Sequence, residues 1–354
     1  MIETSLIEVE PTTYSRLSEV DFDNLGFGKI FSDHMLVADY KDGQWVSCKI
    51  MPYQDLALSP SLAALHYGQS IFEGLKAQYM ENGEISVFRP WENHKRMITS
   101  AERMCMPAVP EEFFIGGIKQ LIELDKAWIP KKRGASLYIR PFMFASEPFL
   151  GVRPSNEYKF IIFTCPVGSY YSEPVNLKIE THYSRVAQGG VGAAKTAGNY
   201  AASLYPAVQA QKQGYHQLLW TSTETHEFIE EVGTMNIVFR IGNSVITPVL
   251  GDTILKGITR DSVLTLAKEW GYDVQERKVR VAEIVEALKN QQIDEAFGVG
   301  TAAVVAHVKT IHHEGTDYSL PAIETREFSN KVLDTLTKLR YGQIEDTHQW
   351  LMTI

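Results

Sequence analysis

Apolar and polar positions alternate with a period of two over residues 31–40 and again over 44–51, with Lys41-Asp42-Gly43 between them. That pattern predicts two strands joined by a tight turn. Apolar, β-rich runs at 85–88, 136–145, 159–167, 177–183, 217–221 and 228–239 predict further strands, and 65–77 reads as a short helical turn leading into one. Helix-spaced apolar residues predict helices over 90–104, 113–125, 200–213, 281–290 and 325–339. Pro90 suits a first helical turn. Asn199 is expected to cap the helix that Gly214 stops, and Thr259 to cap one that runs to Gly271.

The first 26 residues are mixed and polar and read as an arm, while Gly168 to Pro174 reads as a linker. The expected organisation is a small N-terminal domain over 1–168, a linker over 169–176 and a larger domain over 177–354. Strands alternate with helices in both halves, which indicates α/β or α+β domains.

Composition changes this picture only by exclusion. Of 354 residues 44% are apolar and 22% charged, the balance of a soluble globular protein of about two domains. A net charge of −9 argues against nucleic acid and offers no basic face to an anionic membrane, so any anionic ligand must be held by local arginines. No apolar run is long enough for a membrane span. Cys48, Cys105 and Cys165 are an odd, scattered set that reads as reduced thiols, Cys165 in a buried strand. The first ten residues hold three glutamates and no arginine, unlike a secretory or mitochondrial leader, so the cytoplasm is expected. His312 and His313 lack a second ligand pair at metal spacing; they are expected at the surface, and no metal is expected.

Candidate chemistry centres on Lys195, alone as a charge among the glycines and alanines of 189–200. An amine taken out of water favours its neutral, nucleophilic form, as Schiff-base chemistry with an aldehyde requires. A glycine-rich connector with an incidental lysine is the plainer reading. A dinucleotide fingerprint is weaker, because Gly190-Val191-Gly192 lacks the third glycine and the later acidic residue. Arg140 lies in an apolar run and needs an anion, either a ligand carboxylate or a structural partner, and Tyr138 shares its strand face. Arg89 precedes a helix and could meet a phosphate or pair with a glutamate. Phe27, between glycines, could cover a pocket or sit in the core. Glu231, like its opposite-facing neighbour Glu230, is a carboxylate in an apolar context that calls for a cation. Backbone N–H groups of Ile258 and Thr259 open a helix and can take a phosphate, and the small residues around Thr301 suggest close approach of a ligand.

Five motifs carry a resemblance: GGVG-x-x-K-x-x-GNY at 189–200, HYG-x-x-x-FEG-x-KA at 66–77, FRP-x-x-N-x-x-R at 88–96, Y-x-R at 138–140 and EVGTMN at 231–236. Together they resemble the branched-chain amino acid aminotransferases, over most of the chain, with Ala197 where many members have glycine. The resemblance implies the two-domain pyridoxal-phosphate fold type IV, with the cofactor in the cleft. It implies a homodimer in which Tyr67 and Val152 reach the neighbouring active site. It makes Lys195 the Schiff-base lysine and proton carrier, Glu231 the partner of the pyridinium nitrogen and Tyr200 that of the phenolic oxygen. Arg89, Arg185, Ile258, Thr259 and Thr301 fall on the phosphate side, with Thr234 facing the pocket. Phe27, Tyr67, Phe72, Tyr138, Arg140, Val152, Thr234 and Ala302 fall to the substrate. Animal members carry a Cys-x-x-Cys pair where this chain has Ala303 and Ala306, so that redox switch is expected to be absent. The implied activity moves the amino group of leucine, isoleucine or valine to 2-oxoglutarate. D-amino acid aminotransferase and aminodeoxychorismate lyase, which share the lysine and glutamate, are the rival readings within the fold; a cofactor-free binding protein would need neither.

Overall fold

The computed structural model describes residues 6–168 and 173–354, so the part of the expected linker at 169–172 lies outside the described residues. The chain divides into two compact units. One comprises Met1–Tyr170 with Ala194–Ala197 and Lys338–Ile354, the other Tyr171–Ala193 with Gly198–Thr337.

The first unit is built on a nine-stranded sheet. Its order runs Glu8–Val9, Gln44–Pro52, His34–Lys41, Tyr158–Val167, Ser136–Ala145, Leu75–Tyr79, Ile85–Phe88 and Leu351–Thr353, with Ser70–Phe72 on the far half of Ser136–Ala145. All pairs are antiparallel except the first. The long central strands are apolar on both faces, which is why they read as continuous runs. The helix Pro90–Arg103 buries Asn93, His94, Met97, Ser100 and Ala101, the i, i+3, i+4 stripe of a helix lying on a core. That core joins Met97 and Ala101 to Leu36, Phe114, Ile118, Phe160 and Ile162.

The second unit holds a ten-stranded sheet. Six of its strands form a closed hydrogen-bonded ring: Met235–Ile241, Glu295–Gly300, Val304–His313, Val175–Ile179, Gln217–Thr221 and Phe228–Val232, the last pairing back onto the first. Closure removes sheet edges and encloses side chains such as Leu177, Leu219, Val232, Ile237 and Val308 in one apolar core. Among the described residues no helix is long and apolar enough to cross a membrane.

Several expectations are corrected. The last residues leave the second unit: Leu351–Thr353 pairs with Ile85–Phe88, so the unit expected to run to 354 ends at Thr337. The helix expected at 113–125 is a π turn over Glu112–Gly116 followed by Gly117–Leu124, and Gly117 packs so close to Leu36 that a Cβ would collide with it. The run 228–239 is two strands joined at Gly233-Thr234, where Gly233 takes a φ of 55°. Asn199 is not a cap. The helix is Ala197–Lys212, and the Asn199 side chain donates instead to the Val191 carbonyl at 2.8 Å, folding the glycine loop back on the helix. Thr259 is likewise inside its helix, Ile258–Glu269, whose N-cap is Gly257. His312 and His313 are half-buried at a strand end, His312 Nδ1 lying 2.7 Å from both the Tyr215 hydroxyl and Asp317 Oδ1. Cys165 is buried in its strand as expected; burial pushes its thiol up to about 11, and that of Cys48 to about 12, so neither is a reactive thiolate at neutral pH.

Candidate active site

Within the first unit the lysine segment is an extended strap joined to Ser70–Phe72 by one isolated β-bridge. Phe72 N–H donates to the Lys195 carbonyl at 3.0 Å, Thr196 Oγ1 donates to the Ser70 carbonyl at 2.8 Å, and Ile71 bridges Thr196. Lys195 N–H donates to Ser100 Oγ at 2.9 Å, on the buried face of the helix Pro90–Arg103. The backbone on both sides of the lysine is thereby fixed, and its half-buried side chain sets Nζ 4.7 Å from the centroid of the Phe72 ring.

The same ring faces a second cation. Arg140 Cζ lies 4.6 Å from the Phe72 centroid and one of its amino groups donates to the Tyr138 hydroxyl at 2.9 Å. The Phe27 ring meets Tyr138 edge-on at 5.0 Å. Phe27, Phe72, Tyr138, Arg140 and Lys195 are therefore one cluster, assembled from a loop, two strands and the strap. Arg140 Nε is buried without a hydrogen-bond partner, and among the described residues no carboxylate is paired with this guanidinium. A half-buried guanidinium held by the Tyr138 phenol and the Phe72 ring, with its Nε unpartnered, is arranged for an incoming anion. Gly74 makes room for Tyr138, since a Cβ there would collide with the hydroxyl.

Tyr67 and Val152 lie apart from this cluster on the surface, Val152 at 87% exposure. Arg89 stands at the N-cap of Pro90–Arg103 in the left-handed region, with a φ of 49°. Its N–H donates to the Trp350 carbonyl at 2.6 Å and its guanidinium stacks on the Trp350 ring at 5.2 Å. Trp350, just ahead of the strand Leu351–Thr353, therefore orients it, a role that no local pattern announces.

In the second unit Glu231 is buried, and its Oε1 accepts from Leu255 N–H at 2.8 Å and Asn236 Nδ2 at 3.2 Å. Arg185, whose implied place is on the phosphate side, lies 3.3 Å from Glu231 Oε2 and donates to the Thr253 carbonyl. Such donors favour the ionised carboxylate. Asn236, last residue of the EVGTMN motif, works as the clamp that also reaches the Leu255 carbonyl at 3.0 Å. Thr234 sits exposed on the Gly233-Thr234 turn, and Thr301 and Ala302 form the half-buried turn between Glu295–Gly300 and Val304–His313. Ile258 and Thr259 open the helix Ile258–Glu269, whose N-cap Gly257 supplies no side-chain cap. Gly257 has to be glycine because a Cβ would strike Asn236 Oδ1. Tyr200 is half-buried in the first turn of Ala197–Lys212.

Sequence reasoning missed the network beneath the lysine strap. Glu73, fully buried, accepts from Arg96 Nε at 2.7 Å, from a second Arg96 nitrogen at 2.8 Å and from Asn93 Nδ2 at 2.7 Å. The glutamate of one motif thus locks the asparagine and arginine of another. A carboxylate between Phe72 and Gly74, next to apolar strand residues, was the available signal.

The family described as Amino-transferase class IV matches residues 70–311. Branched-chain-amino-acid aminotransferase 2 of Bacillus subtilis (strain 168) is 44% identical over 348 residues, covering 97% of this chain and 96% of its own length. The branched-chain aminotransferase of Thermoproteus uzoniensis, solved with norvaline, superposes with a TM-score of 0.75 at 25% identity, covering 90% of this chain and 99% of that one. The T.th. branched-chain amino acid aminotransferase, solved with pyridoxamine 5′-phosphate, gives 0.72 at 26% identity over 89% and 97%. The chain belongs to the class IV aminotransferases, in their branched-chain-amino-acid group.

Proposed function

We propose that the chain transfers the amino group of leucine, isoleucine or valine to 2-oxoglutarate. The family's cofactor is pyridoxal 5′-phosphate. The residues suit it on two counts: Glu231 is held by an arginine and two N–H donors, and the helix Ile258–Glu269 begins without a side-chain cap. Lys195 would hold its aldehyde carbon, Tyr200 its phenolic oxygen and Glu231 its ring nitrogen. Arg89, Ile258, Thr259 and Thr301 would hold its phosphate. When bound, the cofactor supplies the electron sink for bond breaking at the substrate Cα.

The chain's own residues do the rest. Lys195 Nζ would take the Cα proton from the amino-acid substrate in one half-reaction and give a proton to Cα of the product amino acid in the other; its backbone is fixed on both sides, so only the side chain needs to swing. Arg185 and Asn236 hold the Glu231 carboxylate in place. Arg140, with Tyr138, receives the substrate carboxylate. Phe27 and Phe72 would meet the substrate side chain, as would Thr234 and Ala302, and Tyr67 and Val152 would meet that of the neighbouring subunit. Aromatic walls separate leucine from valine by about 1–3 kcal/mol per methylene, so all three branched substrates are accepted. Exposed Tyr67 and Val152 support a homodimer in which each completes the neighbouring site.

The observation that carries the reading is the unpartnered Nε of Arg140 on the ring that also carries the lysine amine. Single-turnover assays with L-leucine, L-valine, D-alanine and aromatic amino acids test it. Branched L-amino acids are expected to react fastest, with 2-oxoglutarate consumed stoichiometrically. Turnover confined to D-alanine, or lacking 2-oxo acid consumption, would move the chain to one of the rival readings.

A further inference from the structure

Two carboxylates stand side by side on the strand Phe228–Val232, and alternation along a strand points them to opposite faces. Glu231 has partners on both oxygens. Glu230 is less well served: it is 7% exposed and its Oε2 is buried with no hydrogen-bond partner. It lines a cavity of about 590 Å³ inside the second unit, well within the range of small-molecule sites. None of the residues assigned above to cofactor or substrate lines this space. Burial pushes the Glu230 carboxyl above the usual range, opposed by a hydrogen bond from Thr253 and by the Arg185 charge.

The surroundings specify the missing partner. Arg185, whose charge acts on Glu230, turns one amino group to Glu231 and the Thr253 carbonyl, while its Nε is buried without a hydrogen-bond partner and makes no bond to Glu230 Oε2. Glu224 and Asp252 line the same cavity, against the single base Lys278, whose Nζ is drawn over the Phe228 ring at 5.0 Å. No group of three or more His, Cys, Asp or Glu among the described residues is placed to hold a metal ion, and a partly apolar, acidic lining suits an organic cation. Phe228, Val249, Leu250 and Ile254 supply an apolar wall for its body. We propose that this cavity is a second ligand site, for a small organic ammonium ion whose N–H donates to Glu230 Oε2 while its hydrocarbon part lies on that wall. The ammonium group belongs equally to a simple amine or to an amino acid, whose carboxylate would turn to Lys278.

Titration calorimetry on the holoenzyme tests this with N,N-dimethylbutylamine, a tertiary amine that keeps one N–H but cannot condense with an aldehyde. One saturable site per chain is expected. Affinity should fall about ten-fold or more in Glu230→Gln and rise in Lys278→Met, which removes a like charge. 1-Butanol should not compete. With 4-(dimethylamino)butanoate, tighter binding than the plain amine that is lost in Lys278→Met identifies amino acids as the ligand class, and weaker binding identifies amines. No saturable binding at about 10 mM probe, unchanged affinity in Glu230→Gln, or weakened amine binding in Lys278→Met overturns the proposal; the last needs no change at Glu230 and stands if that variant fails to fold. A working transaminase with no such site, or the site in a chain that does not transaminate, separates this inference from the functional reading.

Discussion

Lys195 Nζ lies 4.7 Å from the centroid of the Phe72 ring, on a strap whose carbonyl accepts the Phe72 N–H. One residue therefore holds the lysine backbone and supplies the surface its amine rests on. Lys195→Ala removes only the side chain and leaves those backbone bonds. Transamination is expected to vanish while circular dichroism and the thermal midpoint stay near the parent's. Borohydride treatment of the loaded parent should fix the cofactor to the peptide containing Lys195 and leave the variant unlabelled; measurable turnover by the variant would remove the assignment.

Arg140 has a phenol, a ring and an unpartnered Nε around it, and no carboxylate partner among the described residues. Arg140→Gln should raise KM for leucine about ten-fold or more, with a smaller fall in kcat, because binding of the substrate carboxylate is what is lost. Tyr138→Phe should do less, since the guanidinium keeps its charge and loses only an acceptor. A kcat defect with KM unchanged would place Arg140 in a structural role instead.

Glu231→Gln keeps the shape but not the charge opposite Arg185. Turnover should fall about a hundred-fold or more, with cofactor affinity, measured by equilibrium dialysis, changing far less. Comparable losses in both would mean that the carboxylate chiefly holds Leu255 and Asn236 in place.

Glu73 tests stability. Glu73→Gln leaves the Arg96 guanidinium, only 11% exposed, beside a neutral amide, and should cost about 3–5 kcal/mol in urea unfolding. Replacing both partners by apolar residues should cost clearly less than the two single changes together. Simple additivity would show that the pair is not coupled.

Lys76 gives a pH dependence. Burial, aided by the nearby Arg340 charge, lowers its amine to about 7 from an ordinary 10.5. Between those values the unfolded chain binds more protons than the folded one, so this group makes stability rise with pH from about 7 towards 10.5. Below about 7 both states carry the charge and the folded state keeps the full burial penalty. Lys76→Met should flatten that slope in pH-dependent thermal unfolding and stabilise the protein most at and below neutrality. An unchanged slope would refute it.

What local chemistry dictates was legible in the chain itself. Strands such as 85–88 and 217–221 match their observed bounds because apolar runs between turn residues have one good solution. The lysine, Arg140 and Glu231 stood out as charges in apolar settings, and desolvation makes such residues costly unless something uses them. Only the tertiary structure decided which distant segments answer those charges. Asn199 looked like a cap, and became an anchor for the glycine loop because Val191 is brought within reach. Arg185 met Glu231, and Arg89 met Trp350, across 46 and 261 positions of sequence. The closed ring of six strands and the C-terminal strand beside Ile85–Phe88 are also long-range pairings. Hydrogen bonds between strands depend on register and neighbours, not on periodicity, so no window of the sequence could contain them.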